Sequence, residues 1–121
     1  MRDRTVLLVF LGGALGSISR AFLSSVSSYE LAILVINIAG ATLLGWVHAA
    51  PNFRSEARQA FWATGLCGGF TTLSTVDLML RYNPSIPNMI YALITLVLGV
   101  AGYILAKRVA IARASSESSE T

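Results

Sequence analysis

The chain has 121 residues, a net charge of +3 and a single cysteine; 55% of its residues are hydrophobic and 12% are charged. A soluble domain this small cannot hide so much apolar surface, so a bilayer is its expected solvent. One cysteine, Cys67, excludes an internal disulfide, and no aromatic-studded basic patch argues for nucleic acid.

Four segments are long and apolar enough to cross a membrane, at about 20 residues each. The first, residues 5–23, reads "TVLLVFLGGALGSISRAFL". Arg2 and Arg4 precede it, but the apolar run leads into glycines and Arg20 without a clear small-residue cleavage site, so it is not read as a signal peptide. The second covers residues 31–50, the third 59–80 and the fourth 88–109. Pro51, Pro84 and Pro87 fall in the short gaps, where a missing N–H does little harm. The expected fold is an all-α membrane protein of four transmembrane helices, residues 1–109. The polar tail 110–121, with "ASSESSET", is expected to lack fixed structure.

Lysine and arginine set the expected orientation. Seven lie on one side: Arg2, Arg4, Arg54, Arg58, Lys107, Arg108 and Arg113; two, Arg20 and Arg81, lie on the other. Both termini are therefore expected in the cytoplasm, in one fixed orientation. Four helices enclose too little space for a polar path of their own, so an oligomer is expected.

Polar groups within a span are costly and point to function. Arg20 reads as a snorkelling cation or as one that draws anions into a vestibule. Asn37, in mid-span, can offer N–H groups to an anion or join helices. Gly40 and Gly45 read as packing positions, and His48 as a wetted interfacial side chain. Asp77 and Arg81, four apart, read as a helical ion pair. Tyr91, Thr95 and Gly99 share one face of the fourth span, as a polar rail or as interhelical glue. Trp46, Trp62 and Tyr103 read as belt or packing residues. There is no phosphate-binding loop, no zinc-type cluster, no catalytic triad and no carboxylate at the centre of a span, so nothing in the sequence supports an enzyme.

The third span contains "GLCGGFTTLSTV", residues 65–76, with three glycines, three threonines and a serine. These are poor helix formers in mid-membrane. They suit either tight small-residue packing or an interrupted helix, which is tolerated at that depth only inside protein or along a wet cavity. Free carbonyls at such an interruption can hold a cation, and free N–H groups and hydroxyls can face an anion.

"GGALGSISR" in the first span, "VINIAGATLLG" in the second and "GLCGGFTTLST" in the third together resemble the Fluc/CrcB fluoride channels over nearly the whole chain. The resemblance implies an antiparallel dimer of four-span subunits with a broken third helix. It implies two narrow pores in the cell membrane through which fluoride leaves the cytoplasm passively. It also implies a structural sodium ion at the dimer centre, held by main-chain carbonyls, here those of Gly68 and Thr71. The pore asparagine would be Asn37 and the vestibule arginine Arg20. Ser74 and Thr75 would continue the polar lining, and Tyr91 and Thr95 resemble the hydroxyl track of the fourth helix.

The departures matter as much. The family pattern "TTFSTF" offers two phenylalanine ring edges to fluoride, whereas here Leu73 and Val76 occupy those positions. Ile33 replaces a usual threonine. A homodimer of antiparallel chains needs balanced charge, and this chain is biased. These losses and the charge bias together imply a specialised subunit that pairs with an oppositely oriented homologue carrying the phenylalanines. Two alternatives stay open. One is a non-conducting assembly partner. The other is a small four-span multidrug antiporter, disfavoured because no carboxylate lies within the first span.

Overall fold

A computed structural model describes residues 2–120, and among these it is helical almost throughout, with no strand. Helix α1 spans Arg2–Val26 and α2 spans Tyr29–Ala49. Only residues 27–28 separate them, a tighter hairpin than the seven-residue gap expected. A 3₁₀ turn, Pro51–Phe53, leads into α3, Glu56–Arg58. The chain then widens into a π-helical stretch, Gln59–Cys67, and returns to α geometry as α4, Gly68–Phe70. Residues 71–73 are not helical. Helix α5 resumes at Ser74–Tyr82, and α6 runs Ile86–Ser119.

Three of these helices, α1, α2 and α6, are long and apolar enough to cross a membrane. The third sequence segment is divided between the π stretch, α4 and α5, so no single helix in it has that length. The tail differs from expectation. α6 carries it as helix to Ser119, with Ser115 and Ser118 hydroxyls bonded to carbonyls four residues back. At about 1.5 Å per residue its 34 residues reach roughly 51 Å, well beyond a hydrocarbon core of about 30 Å. Ser85 caps its start by accepting the Asn88 N–H at 3.4 Å, and Pro87 sits in the first turn, where its lost donor is harmless.

Two packed pairs make up the molecule. α2 lies along α6, and α1 lies along the π stretch and α4. The second seam is backbone against backbone. A Cβ on Gly12 would collide with the Phe61 carbonyl, and one on Gly16 with the Leu66 carbonyl. Gly65 and Gly69 meet α1 in the same way. Small residues at four-residue spacing let helices approach this closely without a hydrophobic drive. The outer faces stay apolar and open: Phe10 is 69% exposed and Ile18 67%. Such faces need lipid or another protein rather than water.

Candidate functional site

The interruption at residues 71–73 is held by one side chain. Thr71 is extended, with φ −75° and ψ 153°, so the next residue turns its peptide groups sideways. Asn37 on α2 meets both of them. Its Oδ1 accepts the Thr72 N–H at 2.8 Å, and its Nδ2 donates to the Thr72 carbonyl at 3.1 Å. The carboxamide thus does what a neighbouring β-strand would do. It satisfies two peptide groups that a helix would have satisfied internally.

The hydroxyls around the interruption are also committed. Thr72 is buried, and its Oγ1 accepts the Thr75 N–H at 3.3 Å, which caps the start of α5. The same oxygen lies 2.7 Å from Thr75 Oγ1 and 3.3 Å from Ser74 Oγ. Thr71 Oγ1 and N–H both return to the Cys67 carbonyl, at 2.9 and 3.0 Å. The Thr72 N–H goes to Asn37, so the Gly68 carbonyl loses its usual partner four residues on. Among the described residues, no hydrogen bond reaches the carbonyl of Gly68 or Thr71.

A cleft of about 360 Å³ opens beside this loop, between α2 and α6. Asn37, Thr71, Leu73, Val76, Thr95 and Tyr103 are among its lining residues. A second cavity, on the α5 side, is lined by Ser74 and Asp77 and shares Leu73, Val76, Ala92 and Leu96 with the first. These four apolar residues border both spaces. Leu73 is 76% exposed there and Val76 is buried.

The structure brings together most of the residues singled out by sequence, but not all. Asn37, Thr71, Leu73, Val76 and Thr95 meet at the cleft; Ser74 and Thr75 lie just beyond, on α5. Thr95 donates its hydroxyl to the Tyr91 carbonyl at 2.8 Å. Tyr91 lies outside the cleft lining and ties α6 to the start of α2, donating to the Glu30 carbonyl at 2.5 Å. Arg20 is half-buried on α1, one turn past Ser17, whose hydroxyl reaches the Gly69 carbonyl at 3.5 Å. Gly68 has open space where a Cβ would stand. Asp77 and Arg81 form the expected pair at 2.8 Å, on an exposed face.

Sequence reasoning missed Thr72, the residue through which both the clamp and the cap act. The signal available was the Thr72–Thr75 spacing, a hydroxyl three residues before a helix position that needs a cap. It also missed the π-helical stretch, a geometry concentrated at functional sites. Gln59 anchors the start of that stretch, donating to the Val47 and Phe53 carbonyls at 2.9 and 2.8 Å.

Residues 7–107 match the family model described as CrcB-like protein, Camphor Resistance. "Fluoride-specific ion channel FluC 2" of Rhodococcus jostii is 37% identical over 105 residues, covering 80% of this chain and 90% of that protein. The protein of the same name from Leifsonia xyli subsp. xyli is 37% identical over 119 residues, covering 86% of this chain and 81% of its own length. "Fluoride-specific ion channel FluC" of Pyrococcus abyssi is 31% identical, covering 89% of this chain and all of that protein, 100%.

Proposed function

The chain belongs to the CrcB-like family, and from that premise we propose that it is a subunit of a fluoride-specific channel in the cell membrane, not an enzyme. The observation that carries this reading is the clamped interruption. A mid-chain loop with two carbonyls free of hydrogen bonds lies beside a cleft lined by Asn37, Thr71 and Thr95. In this reading the π stretch, α4 and α5 together make the third of four crossings. Irregular backbone at that depth is tolerated because Asn37 and Thr72 satisfy it.

Fluoride would pass along the cleft, stripped of water against Asn37, Ser74, Thr75 and Thr95, with Tyr91 farther along the same helix and Arg20 drawing anions to the entrance. Asn37 Nδ2 spends one N–H on Thr72 and keeps a second for an anion. Export is passive, driven by the membrane potential at about 2.3 kcal/mol per charge per 100 mV. That bias suffices against fluoride that enters as neutral HF and ionises inside.

The proposed assembly is an antiparallel dimer with an oppositely oriented homologue, both termini of this chain lying in the cytoplasm. The charge distribution supports one orientation, with seven Lys and Arg on one side and two on the other. Leu73 and Val76 support a hetero-pair, since neither offers a polarised ring edge and the partner would supply it. A structural sodium ion at the centre of the dimer fits the free carbonyls of Gly68 and Thr71, hard oxygen donors with no competing hydrogen bond. Such an ion would be held by these carbonyl oxygens and would pin the two loops together.

Fluoride efflux from liposomes tests the reading. We expect flux when this chain is reconstituted with its closest homologue from the same genome, and little from this chain alone. Equal flux from this chain alone would overturn the hetero-pair and leave the channel standing. No flux in either case, with efflux from the homologue alone, would favour a non-conducting assembly partner, which the apolar side chains of Leu73 and Val76 also suit.

A further inference from the structure

Tyr103 is the last residue along α6 to line the cleft that holds Asn37, Thr71 and Thr95. Its hydroxyl lies 3.0 Å from His48 Nδ1, and the two rings meet edge to face at 5.9 Å and 78°. Lys107 Nζ stands 6.0 Å from the centroid of the tyrosine ring. His48 is exposed and is the one histidine in the chain; imidazole is the side chain that can serve as either donor or acceptor through each ring nitrogen, according to its protonation. The proposed function uses none of these three side chains.

We propose that Tyr103 is an anion contact at this end of the cleft, and that His48 sets whether its hydroxyl hydrogen is free to donate. The identity of the anion as fluoride rests on the channel reading. The argument is one of hydrogen-bond direction. In neutral His48 with its proton on Nε2, Nδ1 is bare and accepts the tyrosine O–H. That spends the phenol's only hydrogen on the histidine. A proton taken from solvent puts an N–H on Nδ1 as well. His48 then donates to Tyr103 Oη, and the phenolic hydrogen is released to point at an anion. No covalent bond changes, and the only species consumed is the solvent proton.

The surroundings favour an anion at this end. Lys107, Arg108 and Arg113 follow on α6, and Arg54, Glu56 and Arg58 lie on the connection after α2. On α1, Asp3 and Arg4 precede Thr5, whose hydroxyl donates to Glu56 Oε1 at 3.5 Å. Arg113 lies over the Trp46 ring at 5.9 Å and Arg58 is engaged with the Asn52 carbonyl. Lys107 is the cation beside the tyrosine itself, so the phenol and the ammonium can serve one anion.

The test is fluoride affinity of the purified full chain in detergent micelles, read by ¹⁹F NMR titration with sodium fluoride at about pH 5.5 and about pH 8, on either side of the ordinary histidine range. The expected result is roughly threefold tighter binding at the lower pH, as the linkage between proton and anion requires. His48→Gln and Tyr103→Phe should each bind with the same affinity at both pH values, Tyr103→Phe at the weaker level. Should Tyr103→Phe fail to fold, as read by circular dichroism, His48→Gln on the exposed surface carries the test. A merely structural bond between α2 and α6 would lower the melting temperature of both variants and leave the pH dependence untouched, which overturns the proposal. So does absence of fluoride binding at either pH. Liposome efflux of the wild-type assembly separates this from the channel reading. Efflux with pH-independent binding sinks the His48–Tyr103 device alone; pH-dependent binding without efflux sinks the channel reading and leaves the anion contact.

Discussion

α1 and α6 both carry small residues at four-residue spacing, and the structure uses them in opposite ways. On α1, Gly12 and Gly16 are buried against the backbone of the π stretch and α4, where even one methyl group has no room. On α6, Thr95 and Gly99 line the cleft, and a Cβ on Gly99 would meet only the Ala41 methyl at an ordinary 3.7 Å. The α1 seam is closed by main chain and has no slack. The α2–α6 seam is as tight where Gly45 meets the Tyr103 main chain, but beside Thr95 and Gly99 it is lined by side chains and keeps a cavity. Spacing alone does not distinguish a tight seam from the wall of a cleft. What stands opposite does.

The largest test of this contrast is Gly12→Val against Gly99→Ala. The first forces main chain apart and should cost about 3 kcal/mol or more, seen as loss of a monodisperse peak in size-exclusion chromatography. The second should elute and melt like the wild type. A Gly12→Val chain that stays folded would show that the α1 seam can slide.

Next comes the clamp. Asn37→Leu strips two partners from the buried Thr72 peptide groups, at about 2–4 kcal/mol. Hydrogen exchange should quicken across residues 71–82 while α1 stays protected. If α1 and α5 loosen together, the two regions are one cooperative unit and the contrast fails. Thr72→Val removes the cap but keeps the clamp, at about 1 kcal/mol, with faster exchange confined to the first turn of α5. Least of all, Asp77→Asn breaks an ion pair whose side chains are 74% and 57% exposed, with Arg81 the more open. It should change stability by less than about 0.5 kcal/mol, read as an unchanged melting temperature.

The residues of the site were unevenly legible in the sequence. Asn37 stood out because an amide in an apolar run must find a partner, but its partner could not be read. It lies 35 positions away, at Thr72. The glycine and threonine stretch signalled an interruption because its residues are weak helix formers. Where the chain leaves the helix, at 71–73 and not at the glycines, depended on where Asn37 could reach a peptide group. Tyr91 and Thr95 looked like a pair because they share a helix face, yet only Thr95 lines the cleft, since the Tyr91 hydroxyl is drawn to the start of α2. The serine-rich tail looked unstructured by composition, but its hydroxyls bond to their own helix and α6 continues through it.

By itself, the sequence determined the solvent and the elements. Apolar runs of membrane length, interrupted by prolines and polar gaps, specify helices because a bilayer leaves no water to satisfy bare peptide groups. It determined where backbone would be weak, through glycine and threonine in the third segment. Only the tertiary structure decided what that weakness became. Asn37 replaced the lost helical bonds of Thr72, the π stretch fitted its backbone to the glycines of α1, and α6, closed on α2 at Gly45, left a cleft beside Thr95 and Gly99. Those outcomes depend on which groups from distant parts of the chain come within hydrogen-bonding reach, and a linear pattern of residue types does not carry that distance.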